Sequence, residues 1–210
     1  MDLIFFGMQG AGKGTLGKTV AAKYGMTIFE TGEALRKLAK KESELGKKIK
    51  SIIEAGHLVP NEVVMEIVED FMNKLEKDSP ILFDGIPRKI EQAKSLNTLL
   101  NNHSRNYKAV LIDIKEDTAM ERLTTRRICK TCKSVYPSNY KESKCACDGE
   151  LVTREDDNPE AIRTRLEAFK NETLPAIEMY QDKLIKIDGE PSIEIVEKDA
   201  IETLDKVMQA

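Results

Sequence analysis

The sequence predicts an α/β fold: a parallel sheet with helices on both faces. Three observations carry this. Short apolar runs alternate with longer amphipathic stretches along most of the chain. A glycine-rich turn, GMQGAGKGT at 7–15, joins the first apolar run to a helical pattern. The 210 residues suffice for one such domain with a small insertion.

Taken in order, the apolar runs 3–6, 27–29, 81–83, 109–114 and 184–187 read as five strands. Helical patterns occupy 13–24, 61–77, 90–101, 117–127, 159–180 and 192–208. Two segments break the rhythm. Residues 31–59 hold two helical patterns and no strand, and they close on Gly56 and Pro60, a stop and a restart. Residues 128–158 hold every cysteine and many Lys, Ser, Asp and Tyr, which reads as a small inserted subdomain.

Composition narrows the function. The chain is 40% hydrophobic and 33% charged with a net charge of -3, as expected of a soluble globular protein. No basic block supplies a general nucleic-acid coat. The opening Asp2-Leu3-Ile4-Phe5-Phe6 has no basic flank and is too short for a signal peptide. No stretch approaches the roughly 20 apolar residues of a membrane span. These features predict a cytoplasmic protein with no membrane partner.

The spacing Gly7-x4-Gly12-Lys13, between a strand and a helix, is that of a phosphate-cradling loop. Glycines let backbone N–H groups converge on one point and let a phosphate approach closely. The helix that follows adds the positive end of its dipole. Lys13 is placed to reach the β- and γ-phosphates. In the generic motif a Ser or Thr follows the lysine and binds Mg²⁺. Here Gly14 intervenes and Thr15 comes one later, so Thr15 as a direct Mg²⁺ ligand stays open.

Asp84 ends the third apolar run, where an acid beside a phosphate loop commonly faces the metal, although it also suits a turn. Gly85 permits close backbone approach, and Pro87 fixes the exit that presents Arg88. Thr31 reads as an N-cap of the helix carrying Arg36. Arg122 and Arg126 share a helix face at i, i+4, with Arg127 next to them. Arg154, Arg163 and Arg165 lie around the start of a later helix. Joining two polyphosphates needs such positive charge, because phosphoryl transfer depends on neutralising and aligning oxygens.

Cys129-x2-Cys132 and Cys145-x-Cys147 fall within 19 residues. In a reducing compartment the cluster points to a structural Zn²⁺ site; spare thiols or a disulfide are the alternatives. The second pair is tighter than a usual knuckle, which makes Cys145 the less secure ligand and Asp148 a substitute. The segment has few large apolar residues, so a metal would supply the order that a core cannot.

The chain resembles the adenylate kinases. GMQGAGKGT, ETGEALR, EAGHLVP, FDGIPR with Gln92, ERLTTRRICKTCKSVYP, LVTREDDNPEAIRTRL and KIDGE follow one another in that family's order over essentially the whole length. The resemblance implies the P-loop kinase fold, with a five-stranded parallel sheet, a helical monophosphate-binding insertion and a small β-rich lid. It divides the chain into a core (1–29, 60–121 and 159–210), a monophosphate-binding domain (30–59) and a lid (122–158). It implies reversible, Mg²⁺-dependent transfer of the ATP γ-phosphoryl to AMP, giving two ADP. A monomer is the default, with an oligomer left open, and the balanced charge predicts no nucleic-acid partner.

The same resemblance assigns roles. Gly10, Ala11, Gly12, Lys13, Gly14 and Thr15 hold the ATP phosphates, while Arg122, Arg126, Val135 and Tyr136 lie over ATP and Glu190 meets adenine through its backbone. Thr31, Gly32, Arg36, His57, Leu58, Val59, Gly85, Arg88 and Gln92 form the AMP pocket. Arg154 and Arg165 bridge the two nucleotides, and Lys13, Asp84, Arg88, Arg126, Arg154 and Arg165 form the catalytic set. The resemblance also implies Zn²⁺ in the lid, with Cys147 aligning as the last ligand; with Cys129, Cys132 and Cys145 it makes the four-cysteine set, in which Asp148 is the substitute for Cys145. Met8-Gln9 stands where Ala-Pro is common in the family, Glu30 where Ser is common, and Glu33-Ala34 where Asp-Met is common. Those carboxylates and His57 border the monophosphate pocket, so a kinase accepting GMP, UMP or CMP is the alternative. A nucleotide switch would need an Asn-Lys-x-Asp motif, which the sequence lacks. A zinc-ribbon nucleic-acid binder would use Lys130, Lys133, Lys141 and Lys144, which a solvated lid surface explains equally.

Overall fold

The computed structural model describes residues 1–137, 140–154 and 156–208. Its main sheet has five parallel strands in the order β2-β3-β1-β4-β8. They are β1 (Asp2–Phe6), β2 (Thr27–Glu30), β3 (Ile81–Asp84), β4 (Tyr107–Asp113) and β8 (Leu184–Asp188). The central β1 is buried on both faces, which is why it reads as an unbroken apolar run. Alternate residues serve two cores. Ile4 and Phe6 join Phe83, Leu111 and Tyr180 on one face. Leu3 and Phe5 join Leu82, Val110 and Ile112 on the other.

Helices cover both faces. The Leu3 face carries α1 (Lys13–Tyr24), α6 (Glu116–Thr125), α7 (Pro159–Ala168) and α9 (Ile193–Met208). The Phe6 face carries α4 (Asn61–Asn73), α5 (Ile90–Asn102) and α8 (Leu174–Glu178). Between β2 and α4 lie α2 (Thr31–Ala39) and α3 (Glu44–Glu54), the latter capped by the Ser43 hydroxyl, which accepts from Gly46 N at 3.0 Å. Between α6 and α7 lies a second, antiparallel sheet, β6 (Val135–Tyr136), β5 (Arg127–Cys129) and β7 (Leu151–Val152), in that order. Every strand of the main sheet points its carboxyl end at one edge. The chain leaves β1 there at Gly7, with β3 on one side and β4 on the other, the topological switch where such sheets bind ligands.

Three expectations are corrected. Thr31 is the first residue of α2 and not its cap; Glu30 holds the cap position in extended conformation. The helix expected over 159–180 breaks into α7, a π turn (Phe169–Thr173) and α8. Pro175 has no N–H to give the ladder, and Leu174 N bonds to Phe169 O, five residues back. The helix expected to 77 ends at Asn73.

At the opposite edge of the sheet, the buried Asp2 carboxylate accepts from Ile81 N at 2.8 Å and from Arg105 Nε at 2.6 Å, tying the start of β1 to β3. Among the described residues, no helix is long and apolar enough to cross a membrane.

Candidate functional site

The glycine loop sits at the switch between β1 and α1. Gly12 occupies the N-cap with φ +91°, a left-handed conformation, and no atom lies within 4 Å of where a Cβ would stand. The glycine is therefore required by the backbone turn and not by crowding. Lys13 folds over the loop, its Nζ donating to Gly7 O at 2.7 Å and Met8 O at 2.9 Å. Burial lowers its pKa to about 8; Asp84 opposes this, and Arg88 and Arg126 add to it.

Asp84 ends β3 beside the loop, its carboxylate 3.7 Å from the Cβ position of Gly14. Burial raises its pKa, against the pull of Lys13, Arg88 and Arg36. Its neighbour across the strands is Glu30, whose pKa is raised by burial, by Asp84 and by Glu33. Hard oxygen donors of this kind suit Mg²⁺. Arg88 is held by three contacts from three places in the chain: its Nε donates to Gly85 O at 2.9 Å, its N to Gln92 Oε1 at 2.8 Å, and its carbonyl accepts from Thr173 Oγ1 at 3.0 Å. A cavity of about 20 Å³ lies among Phe6, Gln9, Lys13, Gly85, Arg88 and Thr173.

Three more arginines converge through two adjacent acids. Asp157, with its side chain fully buried, takes a bidentate pair from Arg126 at 2.6 and 2.9 Å and a third bond from Arg165 at 2.9 Å. Asp156 takes a bidentate pair from Arg154, at 2.8 Å through Nε. Burial alone would raise the Asp156 pKa, but Arg154 and Arg165 hold it down at about 2. Burial lowers Arg88 and Arg126, and it lowers Arg36 to about 10, each with further repulsion from neighbouring arginines. Lys13, Arg36, Arg88, Arg126, Arg154 and Arg165 thus share one cleft in mutual repulsion, which an anion relieves.

On the β2 side, Gly32 lets Arg36 lie back over the start of α2, since a Cβ there would stand 3.0 Å from Nη1. The Thr31 hydroxyl is buried without a hydrogen-bond partner. Gln92 is buried, Val59 packs into the core, Leu58 is half-buried and His57 is exposed. Beyond β4 and β8, Arg122 Nη2 donates to Glu190 O at 3.2 Å. The Glu190 carboxylate accepts from Lys115 N and from Thr118 Oγ1, bonds that lower its pKa. A cavity of about 370 Å³ opens there among Asp113, Lys115, Lys186 and Glu190.

The four cysteines meet, with all Sγ atoms within 4.8 Å of one another. Cys132–Cys145 measures 3.3 Å, Cys145–Cys147 3.4 Å and Cys129–Cys147 3.6 Å. A disulfide needs about 2.05 Å. Tetrahedral thiolates about 2.3 Å from zinc stand about 3.8 Å apart. The set therefore fits a metal and not a disulfide, and all four thiols are free. Thr131 N and Cys132 N donate to Cys129 Sγ at 3.3 and 3.4 Å, as thiolate ligands require. Cys145 is buried inside the cluster, whereas the Asp148 carboxylate is exposed and faces Lys144 at 3.9 Å.

Two of the arginines grouped by sequence stay outside the cleft. Arg127 turns to the carbonyls of Tyr140 and Glu142, and Arg163 is exposed. Val135 is exposed on the small sheet, and the Tyr136 hydroxyl lies 3.0 Å from Cys145 Sγ. Sequence reasoning missed Asp156 and Asp157. Their signal was an acid pair just before the helix start Asn158-Pro159, with arginines on both sides.

Comparison with known proteins agrees. The sequence model of the family described as adenylate kinase matches residues 5–185. A protein named adenylate kinase from Staphylococcus aureus (strain Mu50) is 40% identical over 213 residues, covering 98% of this chain and 99% of its own. Proteins of the same name from Kosmotoga olearia and Archaeoglobus fulgidus are each 39% identical, covering 99% of this chain and 100% and 99% of theirs. A phosphate loop, a converging arginine cleft and this likeness over the full length place the chain in the adenylate kinase family.

Proposed function

We propose that this chain transfers the γ-phosphoryl group of ATP to AMP, reversibly, giving two ADP. The observation that carries the reading is the cleft itself: Lys13 and five arginines brought together beside a glycine loop, with Asp84 among them. An AMP phosphate oxygen attacks the γ-phosphorus, and the bond from that phosphorus to the β–γ bridging oxygen breaks. The attacking oxygen is already ionised at neutral pH, so no general base is needed. Catalysis is positioning plus charge stabilisation.

In this reading residues 10–15 and Lys13 hold the ATP phosphates, with Arg122, Arg126, Val135, Tyr136 and the Glu190 backbone around the rest of the nucleotide. Thr31, Gly32, Arg36, the 57–59 stretch, Gly85, Arg88 and Gln92 receive AMP. The buried, unpartnered Thr31 hydroxyl supports this, because such a group wants a ligand. Arg154 and Arg165 span the two. Mg²⁺ would enter with ATP as part of the substrate and would offset phosphate charge, and Asp84 is the carboxylate that would face it, with Thr15 left open as a ligand. Zn²⁺ on Cys129, Cys132, Cys145 and Cys147 holds the shape of the 122–158 segment. That segment acts as a lid that excludes water, 30–59 closes on the monophosphate, and the remainder is the core. Four thiols grouped for a metal, at separations that suit no disulfide, support a reducing, cytoplasmic setting.

A coupled assay of ADP formation from ATP and Mg²⁺, run with AMP, GMP, UMP and CMP, tests the reading. Strong preference for AMP is the expected result. Activity spread across acceptors would move the assignment to a broader monophosphate kinase and point to Glu30, Glu33 and His57. No activity with any of them would sink it.

A further inference from the structure

We propose that the side-chain amide of Gln9 contacts the phosphoryl group in transit and sets the turnover rate. Gln9 stands in the phosphate loop between Gly7 and Gly10. Its Oε1 is buried with no hydrogen-bond partner, a state shared among the described residues only by Thr31 Oγ1 and Asn61 Oδ1. Gln9 also lines the small cavity with Lys13, Gly85, Arg88 and Thr173. An orphaned amide weakens a fold, because its lost water contacts are not replaced. It stands on a loop otherwise nearly stripped of side chains and beside two cations; its oxygen lacks a donor, and turning the amide over offers a donor to an anion instead.

The chemistry of the amide suits that partner. Its oxygen and nitrogen ends exchange by rotation about the last side-chain bond, so the N–H₂ end presents itself to an anion without a change in shape. A glutamine adds a donor while adding no charge to Lys13 and Arg88, which already repel each other. A further lysine or arginine would deepen that repulsion. A proline, common at this place in the family, has no side-chain donor to offer. It neither takes nor gives a proton. It holds one equatorial oxygen while the bond to the bridging oxygen breaks and the bond to the acceptor oxygen forms.

The test, which rests on the phosphotransferase reading above, uses Gln9→Met, of similar length and apolar, with Gln9→Leu as the second variant. Melting temperature, kcat and both KM values are measured on the same preparations of full chain. The proposal expects kcat to fall about tenfold, the worth of one hydrogen bond to a charged group. It expects both KM values within about twofold of the parent, and a melting temperature equal or higher, since an orphaned polar group has been removed. Unchanged kcat in both variants would overturn it. So would a kcat loss matched by a lower melting temperature, which marks a structural amide. A parent chain that forms no ADP overturns the phosphotransferase reading and this inference together, whereas an active parent isolates the inference.

Discussion

Asp157 grips Arg126 with both carboxylate oxygens, at 2.6 and 2.9 Å, across the two strands of chain that lead to the small sheet. Arg126 closes α6 and Asp157 stands just before the cap of α7, so one pair fastens both connections at their root. The Asp157 side chain is fully buried. Its Oδ1 also holds Arg165, so removing the charge strands two guanidiniums. Asp157→Ala is expected to cost about 3 kcal/mol in denaturant unfolding, as for a broken buried pair. A loss below about 1 kcal/mol would mean that solvent already shares the site.

Arg165 lies across the cleft, buried and held by Asp157 and by the Ala161 and Asp156 carbonyls. Such a group is fixed before substrates arrive, which suits charge that develops only in the transition state. Arg165→Ala should lower kcat by about 100-fold while KM for ATP moves by less than about threefold. Steady-state kinetics decide it; equal losses in both would make Arg165 a binding residue.

Lys13 gives the pH dependence a sign. Folded Lys13 releases its proton near pH 8, against an ordinary lysine value near 10.5. Between those values the unfolded chain holds more protons, so stability rises with pH through that window, and the penalty on the buried ammonium is fully present below pH 8. ATP binding runs the other way, because phosphates need the ammonium. Affinity for ATP should fall above pH 8, by up to about tenfold per pH unit. Titration calorimetry from pH 7 to 9.5 measures it. Lys13→Gln should bind weakly at every pH and show no such decline; an unchanged decline in that variant would put the titration elsewhere.

The cysteine cluster is expected to bind one Zn²⁺ per chain, read by elemental analysis. Chelation should lower the melting temperature and expose the 127–152 segment to protease. Cys145→Ser should weaken the metal, whereas Asp148→Ala should leave it unchanged, since that carboxylate is exposed. Gly149→Ala should also weaken it, because the added Cβ would stand 2.4 Å from Cys129 Sγ. Normal zinc content in Cys145→Ser would return Asp148 to the ligand set.

Much of this was legible in the sequence because it is written in local signals. The alternation of 3–6 with 13–24 and its repeats gave a parallel sheet, and Gly12-Lys13 gave a phosphate loop, since spacing alone encodes both. The break at Phe169–Thr173 was hidden, because Pro175 sits in a pattern that stays helical in its apolar period while its hydrogen bonds shift. Thr31 looked like a cap by residue type, yet caps are set by φ and ψ, which put Glu30 there. Asp156 and Asp157 escaped because their meaning lies in arginines that only the fold brings near, one of them 31 positions away. Whether Cys145 or Asp148 completes the cysteine cluster depended on which side chain turns inward, and spacing does not record direction.

The π turn has a consequence for insertions and deletions. It holds one residue more than a regular ladder would, and an α-helix turns about 100° per residue. Deleting one residue from 169–173 would let α7 and α8 fuse into one unbroken helix. Everything after it would rotate by about 100°, taking Ile177 and Tyr180 off the Phe6 face and Thr173 off the Arg88 carbonyl. The extra residue is thus a phase correction: it brings two helices of different register onto the same sheet. Length in this stretch should be far less free to vary than amino-acid identity.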